Sequence, residues 1–328
     1  MSERASLDRS LVLGAVRTAE AAAIAASRLI GLGDEKAADQ AAVDAMRTML
    51  NDLTFDGKVV IGEGERDEAP MLFIGEKVGS GTGAKIDIAL DPLEGTTITA
   101  TGGPDALAVI AMAEEGGFLH APDVYMEKIA VGGGLTAGVI DLDRSTAENM
   151  HALADAKGVA PSELMACVLD RPRHAKIIED IRGTGARVKL IPDGDVAGVI
   201  ATAEEGTGID IYFGTGGAPE GVLAAAALTC IGGQMEGRLI FRNEDERNRA
   251  YKAGIEDLQR KYALDDLAHG DVLFAATGVT DGSMLSGVKR CATHVTTESI
   301  VMRARTGTVR WIRANHDVDR ALKGTIQN

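Results

Sequence analysis

The chain reads as an α/β protein with an α+β N-terminal half, and three observations predict it. In the second half, short apolar runs alternate with helical stretches, the pattern of strands joined by crossover helices. Forty of the 328 residues are glycine, several of them clustered where apolar runs end. Aromatic residues make up only 3%, so the core must be built from Ala, Val, Ile, Leu and Met. The length suits two domains or one large layered one, with a division expected near Pro161: residues 1–160 and 161–328.

Taken in order, residues 7–32 predict a long Ala-rich helix with Leu7, Leu11, Val12, Ala15 and Thr18 near one face, stopped by Gly31-Leu32-Gly33. Asp34 caps a second helix over 35–50, whose stripe is Ala42, Val43, Met46, Met49 and Leu50. Asp39 lies on or beside that stripe; from position alone it is an acid complementing the helix dipole. Residues 58–61 form a strand running into Gly62-Glu63-Gly64-Glu65-Arg66-Asp67-Glu68. Gly-x-Gly here is no dinucleotide fingerprint, because no third glycine follows and the acids repel a pyrophosphate. Ile86, Ile88 and Leu90 alternate with Asp87 and Ala89 as a half-buried strand entering Asp91-Pro92-Leu93-Glu94-Gly95-Thr96-Thr97. Pro92, lacking an N–H, is expected to end the pairing. Another strand spans 106–112. Gly116-Gly117 opens an irregular stretch containing Tyr125, and a helix over 146–157 ends at Gly158.

The second half predicts strands at 165–169, 188–191 and 209–213, with helices at 174–181, 196–203 and 219–230. This alternation implies a mainly parallel sheet, with ligands bound beyond the carboxyl ends of its strands. Those ends carry Asp170-Arg171-Pro172-Arg173, Pro192-Asp193-Gly194-Asp195 and Gly214-Thr215-Gly216-Gly217-Ala218-Pro219-Glu220. A strand at 234–241, a charged helix at 243–262, a strand at 272–276 and a hairpin over 299–313 complete the chain.

The formal charge of −15 opposes nucleic acid and anionic membranes. It also repels anionic substrates unless metals or local arginines intervene. Cys167, Cys230 and Cys291 lie far apart in or near apolar runs and are expected to be buried, reduced thiols in the cytosol. No signal peptide and no run of transmembrane length is read, so a cytoplasmic protein is expected.

Chemistry concentrates at the strand ends. The bland reading of 91–97 is a proline turn with solvated acids. Against it stand two acids, a glycine and two threonines in seven residues, with a second acidic strand end at Glu63. Clustered carboxylates suit hard cations such as Mg²⁺ and Mn²⁺. Arginines and a glycine loop opening a helix suit a phosphate.

The segment 91–97 resembles the Asp-Pro-[Leu/Ile/Val]-[Asp/Glu]-Gly-Thr motif of the lithium-sensitive, metal-dependent phosphatase superfamily. With Gly33-Asp34, residues 39–47, Ile61-Gly62-Glu63-Gly64-Glu65 and the three later clusters, nearly the whole chain is similar to class II fructose-1,6-bisphosphatase. That type is also used for sedoheptulose-1,7-bisphosphate. The resemblance implies a layered α-β-α-β-α sandwich and hydrolysis of the 1-phosphate of fructose 1,6-bisphosphate, in gluconeogenesis or the Calvin cycle. It implies two or three Mn²⁺ or Mg²⁺ ions, bound by Asp39, Glu63, Asp91, Glu94 and Glu220. Thr96 and Glu63 are implied as catalytic. Glu94, Gly95, Thr96, Tyr125, Arg171, Pro172, Arg173, Asp193, Gly194, Asp195 and Gly217 are implied to bind substrate. It places the metals in the N-terminal half and the sugar in the other, and implies a homodimer or homotetramer. One departure is Glu35, which stands where the family often has a lysine. Other phosphomonoesterases and a metal-binding regulator without catalysis are the rival readings.

Overall fold

The computed structural model describes residues 7–62 and 72–317. Fourteen strands occur among them: β1 Asp56–Ile61, β2 Lys77–Val78, β3 Lys85–Glu94, β4 Leu107–Glu114, β5 Tyr125–Gly132, β6 Met165–Leu169, β7 Arg187–Ile191, β8 Ile211–Gly217, β9 Gly233–Ile240, β10 Lys261–Ala263, β11 Leu273–Gly278, β12 Lys289–Arg290, β13 His294–Arg303 and β14 Thr308–Asp317. The helices are α1 Leu11–Ala26, α2 Glu35–Asn51, α3 Thr96–Thr101, α4 Thr146–Lys157, α5 Ala175–Gly183, α6 Asp195–Ile200, α7 Ala218–Ile231, α8 Glu244–Lys252 and α9 Leu264–Leu267.

The strands form two mixed sheets. The first runs β12-β13-β11-β4-β3-β1-β2, with β14 on the outer side of β13. The second runs β10-β9-β5-β8-β6-β7. Three apolar clusters stack these sheets with helices into five layers. Outside the first sheet, α1 and α2 pack Leu11, Ala15, Ala19, Ala22, Ala42, Val43 and Met46 against Ile88, Ala108 and Ile110. The alanine face of α1 lets that helix lie close to the strands. Between the sheets, α7 buries Val222, Leu223, Leu228 and the run Ala224–Ala227 against Val109, Phe274, Met126 and Leu239. A helix apolar all round is what a layer covered on both sides requires. Outside the second sheet, Met150 and Leu153 of α4 and Ile181 of α5 cover Ile129, Val131 and Val168. The α-β-α-β-α sandwich is therefore the architecture. No helix among the described residues is long and apolar enough to cross a membrane.

Several expectations are corrected. The second sheet is not mainly parallel: β8, β6 and β7 are parallel, but β8–β5, β5–β9 and β9–β10 are antiparallel. The stretch from Gly116 is not irregular throughout, because β5 begins at Tyr125. Pro92 does not stop β3; the strand continues to Glu94 across a register shift between Asp91 and Glu94. A bulge leaves one residue without a ladder partner, which suits a residue with no N–H. The helix expected over 243–262 stops at Lys252, where Gly254 turns left-handed at φ 85°, and β10 follows. The sheets do not divide at residue 160: β5 joins the second sheet, and β11 to β14 return to the first. Cys291 is exposed in the turn between β12 and β13. Cys167 and Cys230 are buried, and burial pushes both thiols up to about 12.

Candidate active site

Three parallel strands end at one edge of the second sheet, and β3 of the first sheet ends opposite them. Between lies a cleft of about 510 Å³. It is lined by Asp39, Asp91, Glu94, Gly95, Thr96, Tyr125, Arg171, Arg173, Asp193, Gly194, Asp195, Gly217 and Glu220, each of them anticipated above. Glu35, Lys36, Leu93, Leu169 and Gly216 also line it. Pro172 does not; it starts the turn that carries the two arginines. Glu63 lies outside the described residues.

The first wall is acidic. Asp91 ends the regular part of β3, and its Oδ1 accepts from the Leu93 N–H at 3.0 Å, tightening the bulge. Glu94 follows on the same strand and is 5% exposed. Its Oε1 accepts from the Val196 N–H at 3.0 Å, so one oxygen is fixed by the first turn of α6. Its Oε2 is buried with no partner. Burial, reinforced by Asp195, pushes the Glu94 carboxyl well above the usual range. Gly95 takes φ 90° to turn β3 into α3, placing Thr96 at the rim. Asp39 enters from the second turn of α2, where Ala38 and Ala42 are buried beside it, and burial raises its carboxyl too.

The second wall mixes signs. Glu220 sits in the first turn of α7, behind Pro219. Its Oε2 is also buried and unpartnered, and burial with Asp195 nearby raises its carboxyl to about 6. A Cβ on Gly217 would collide with that oxygen, and one on Gly216 with the Asp195 carboxylate. The paired glycines thus let the chain pass against two acids.

The cation buried among these acids is Lys128 of β5, whose side chain is 0% exposed. Its ammonium pairs with Asp195 and donates to the Gly217 carbonyl at 2.8 Å. The sequence does not single it out, because the stretch from Gly116 through Tyr125 reads as irregular. The available signal was a lysine directly before the apolar run Ile129-Ala130-Val131.

The far end is basic. Arg171 Nη2 lies 3.7 Å from Asp193. Arg173 donates twice to the Thr215 carbonyl, at 2.9 and 2.7 Å, and stands 5.2 Å from the Tyr125 ring centroid. Arg242, not anticipated, approaches the same ring at 4.5 Å. Its guanidinium is braced by the buried Glu246.

Among the described residues no three His, Cys, Asp or Glu side chains gather closely enough to hold a metal ion. The donor chemistry nevertheless fits a hard divalent cation. Asp39, Asp91, Glu94 and Glu220 offer oxygen alone, and two of them keep a buried oxygen with no protein partner, a lone pair open to a cation.

A family model described as "Bacterial fructose-1,6-bisphosphatase, glpX-encoded" matches residues 9–316. Fructose-1,6-bisphosphatase 1 class 2 of Escherichia coli is 46% identical over 327 residues, spanning 95% of this chain and 96% of its own. Fructose-1,6-bisphosphatase class 2 of Shigella flexneri matches to the same extent. A solved inositol monophosphatase from Anabaena (Nostoc) overlays 60% of this chain and 72% of its own, at 14% identity and a TM-score of 0.31, too loose to carry weight. With strand ends, carboxylates and arginines converging on one cleft, and near-complete coverage by its relatives, the chain belongs to the bacterial glpX-type family of fructose-1,6-bisphosphatases.

Proposed function

We propose that this chain hydrolyses the 1-phosphate of D-fructose 1,6-bisphosphate to fructose 6-phosphate and inorganic phosphate. The observation that carries the reading is the polarity of the cleft, acidic at the β3 end and basic at Arg171 and Arg173. A ligand with two anionic ends matches it only if cations cover the acidic end.

Asp39, Asp91, Glu94 and Glu220 are the groups that would hold Mg²⁺ or Mn²⁺, with Glu63 assigned to the same set. When bound, such ions supply positive charge for the phosphoryl oxygens and acidify water. The chain itself does the rest. Arg171 and Arg173 bind the non-reacting phosphate by charge-assisted hydrogen bonds. Tyr125, Asp193, Gly194 and Asp195 line the path between the ends and orient the sugar. Gly95, whose φ of 90° turns the chain from β3 into α3, presents its backbone to the scissile phosphate between Glu94 and Thr96. The Thr96 hydroxyl holds the attacking water by a hydrogen bond, in line with the bond to be cleaved. The water oxygen bonds to phosphorus and gives up one proton to solvent, the P–O bond to the sugar breaks, and its electron pair leaves on the C1 oxygen, which takes one proton from solvent. Most of the acceleration is positioning and charge.

The same cleft is assigned sedoheptulose 1,7-bisphosphate as a second substrate, and the chain a homodimeric or homotetrameric state. The test is phosphate release, with Mg²⁺ or Mn²⁺, from both bisphosphates, fructose 6-phosphate and inositol 1-phosphate. A strong preference for bisphosphates supports the reading. Equal rates on monophosphates refute the two-ended site.

A further inference from the structure

The three ladder pairs between β6 and β8 are Ala166↔Ile211, Cys167↔Tyr212 and Val168↔Phe213. Beyond Val168 and Phe213 the strands part, and the cleft opens between their ends. A buried imidazole spans the gap. His174 is 1% exposed. Its Nδ1 lies 2.8 Å from the Leu169 carbonyl oxygen, and its Nε2 lies 2.9 Å from the Thr215 backbone nitrogen. A carbonyl can only accept and an N–H can only donate. The ring must therefore carry its proton on Nδ1 and keep a free pair on Nε2. Burial, with Arg173 and Arg171 alongside, pushes the imidazole below its usual range and keeps it neutral.

The Thr215 backbone is engaged on both sides of its Cα, through two successive peptides. Its N–H donates to His174, and its carbonyl accepts both bonds from Arg173, the residue preceding His174. Leu169, His174, Thr215 and Arg173 close a ring of hydrogen bonds across the splayed strand ends. Arg173 is held over Tyr125 by the Thr215 carbonyl, which has no ladder partner on β6; the imidazole anchors the preceding Gly214–Thr215 peptide, and so holds the Thr215 backbone on the β6 side from the other side of its Cα.

We propose that His174 is a positioning residue for the non-reacting phosphate of the substrate, acting through the Thr215 backbone on Arg173. It replaces the strand pairing that was given up to open the cleft. The assignment rests on the bisphosphatase reading above.

The experiment compares His174→Asn with His174→Gln. Asn places an amide near Nδ1 and keeps the Leu169 bond only. Gln places a carbonyl oxygen near Nε2 and keeps the Thr215 bond. His174→Asn is expected to raise KM for fructose 1,6-bisphosphate about tenfold while kcat stays within about threefold. The affinity for fructose 6-phosphate, measured by calorimetry, should weaken in parallel. His174→Gln is expected to stay within about twofold of the parent on both. Equal losses in the two variants, or none in Asn, overturn the proposal. A selectively ¹⁵N-histidine-labelled parent gives a check independent of any variant's folding: an Nδ1–H tautomer at His174 supports the relay, and an Nε2–H tautomer sinks it. Parent protein inactive on every bisphosphate would refute the functional reading instead, while leaving the tautomer measurement standing.

Discussion

Replacing Lys128 by methionine is the sharpest probe of how the site is held together. The side chain is fully buried, and its partner Asp195 is only 6% exposed. Methionine nearly preserves volume, so packing changes little and the effect is electrostatic. Without the ammonium, Asp195 is left uncompensated beside Glu94 and Glu220, each already raised by Asp195. Removing one partner of a buried pair destabilises by about 3–5 kcal/mol, because the remaining charge has no solvent. The Gly217 carbonyl also loses its donor, on the order of 1 kcal/mol more. For a chain of this size the sum lowers the melting temperature by on the order of 10 °C. Circular dichroism melts of metal-free protein at pH 7.5 measure it directly. The double variant Lys128→Met/Asp195→Asn should recover most of the loss, since it removes both charges. A melt within about 1 °C of the parent for Lys128→Met alone would refute the reasoning, as would a double variant less stable than the single one.

Four further outcomes follow from the geometry. Thr96→Ala should keep substrate affinity and lose about 100-fold or more in kcat, seen in steady-state phosphate release; near-normal turnover removes its role at the water. Arg171→Ala should raise KM about tenfold with kcat little changed, and a pure kcat loss would move it away from the distal phosphate. Gly217→Ala drives a methyl into the Glu220 carboxylate, so calorimetry should show weakened Mn²⁺ affinity with the fold intact; unaltered affinity would separate Glu220 from the metal set. Burial raises the Glu20 carboxyl, which accepts from the Thr297 hydroxyl at 2.9 Å. A raised carboxyl stabilises the fold below its ordinary value of 4.5 and loses that contribution as pH climbs through the folded-state value. Glu20→Gln should therefore raise the melting temperature at pH 8 and leave it unchanged at pH 4; a gain confined to acid would reverse the sign.

Much of the site is legible in the chain because parallel strands deliver their carboxyl ends to one edge. The runs at 165–169, 188–191 and 209–213 are visible as β-rich segments, so the sequence alone gathers Arg171, Arg173, Asp193, Asp195 and Glu220. What stayed hidden has a common cause. Lys128 and Arg242 act through partners distant in sequence, Asp195 and Tyr125, and no local period announces a buried lysine or a guanidinium stacked on a ring. β5 alternates Tyr, Met, Glu and Lys, a mixture that reads as loop until Asp195 neutralises the lysine. Pro92 inside β3 misled for the opposite reason: the local rule is sound, and a bulge satisfies it without ending the strand.

The pairing of β4 with β11 has a consequence for how the chain is made. These neighbours meet at Leu273↔Met112, so everything between leaves the first sheet and returns to the same place. During synthesis β1, β3 and β4 emerge early, but the strand that closes β4 arrives about 160 residues later, roughly 10–30 s at ribosomal speed. For that interval the edge of Leu107–Glu114, apolar and almost wholly buried when finished, stands open as a template for another chain. The hazard in this protein's biogenesis therefore sits at an interior strand of the finished sheet.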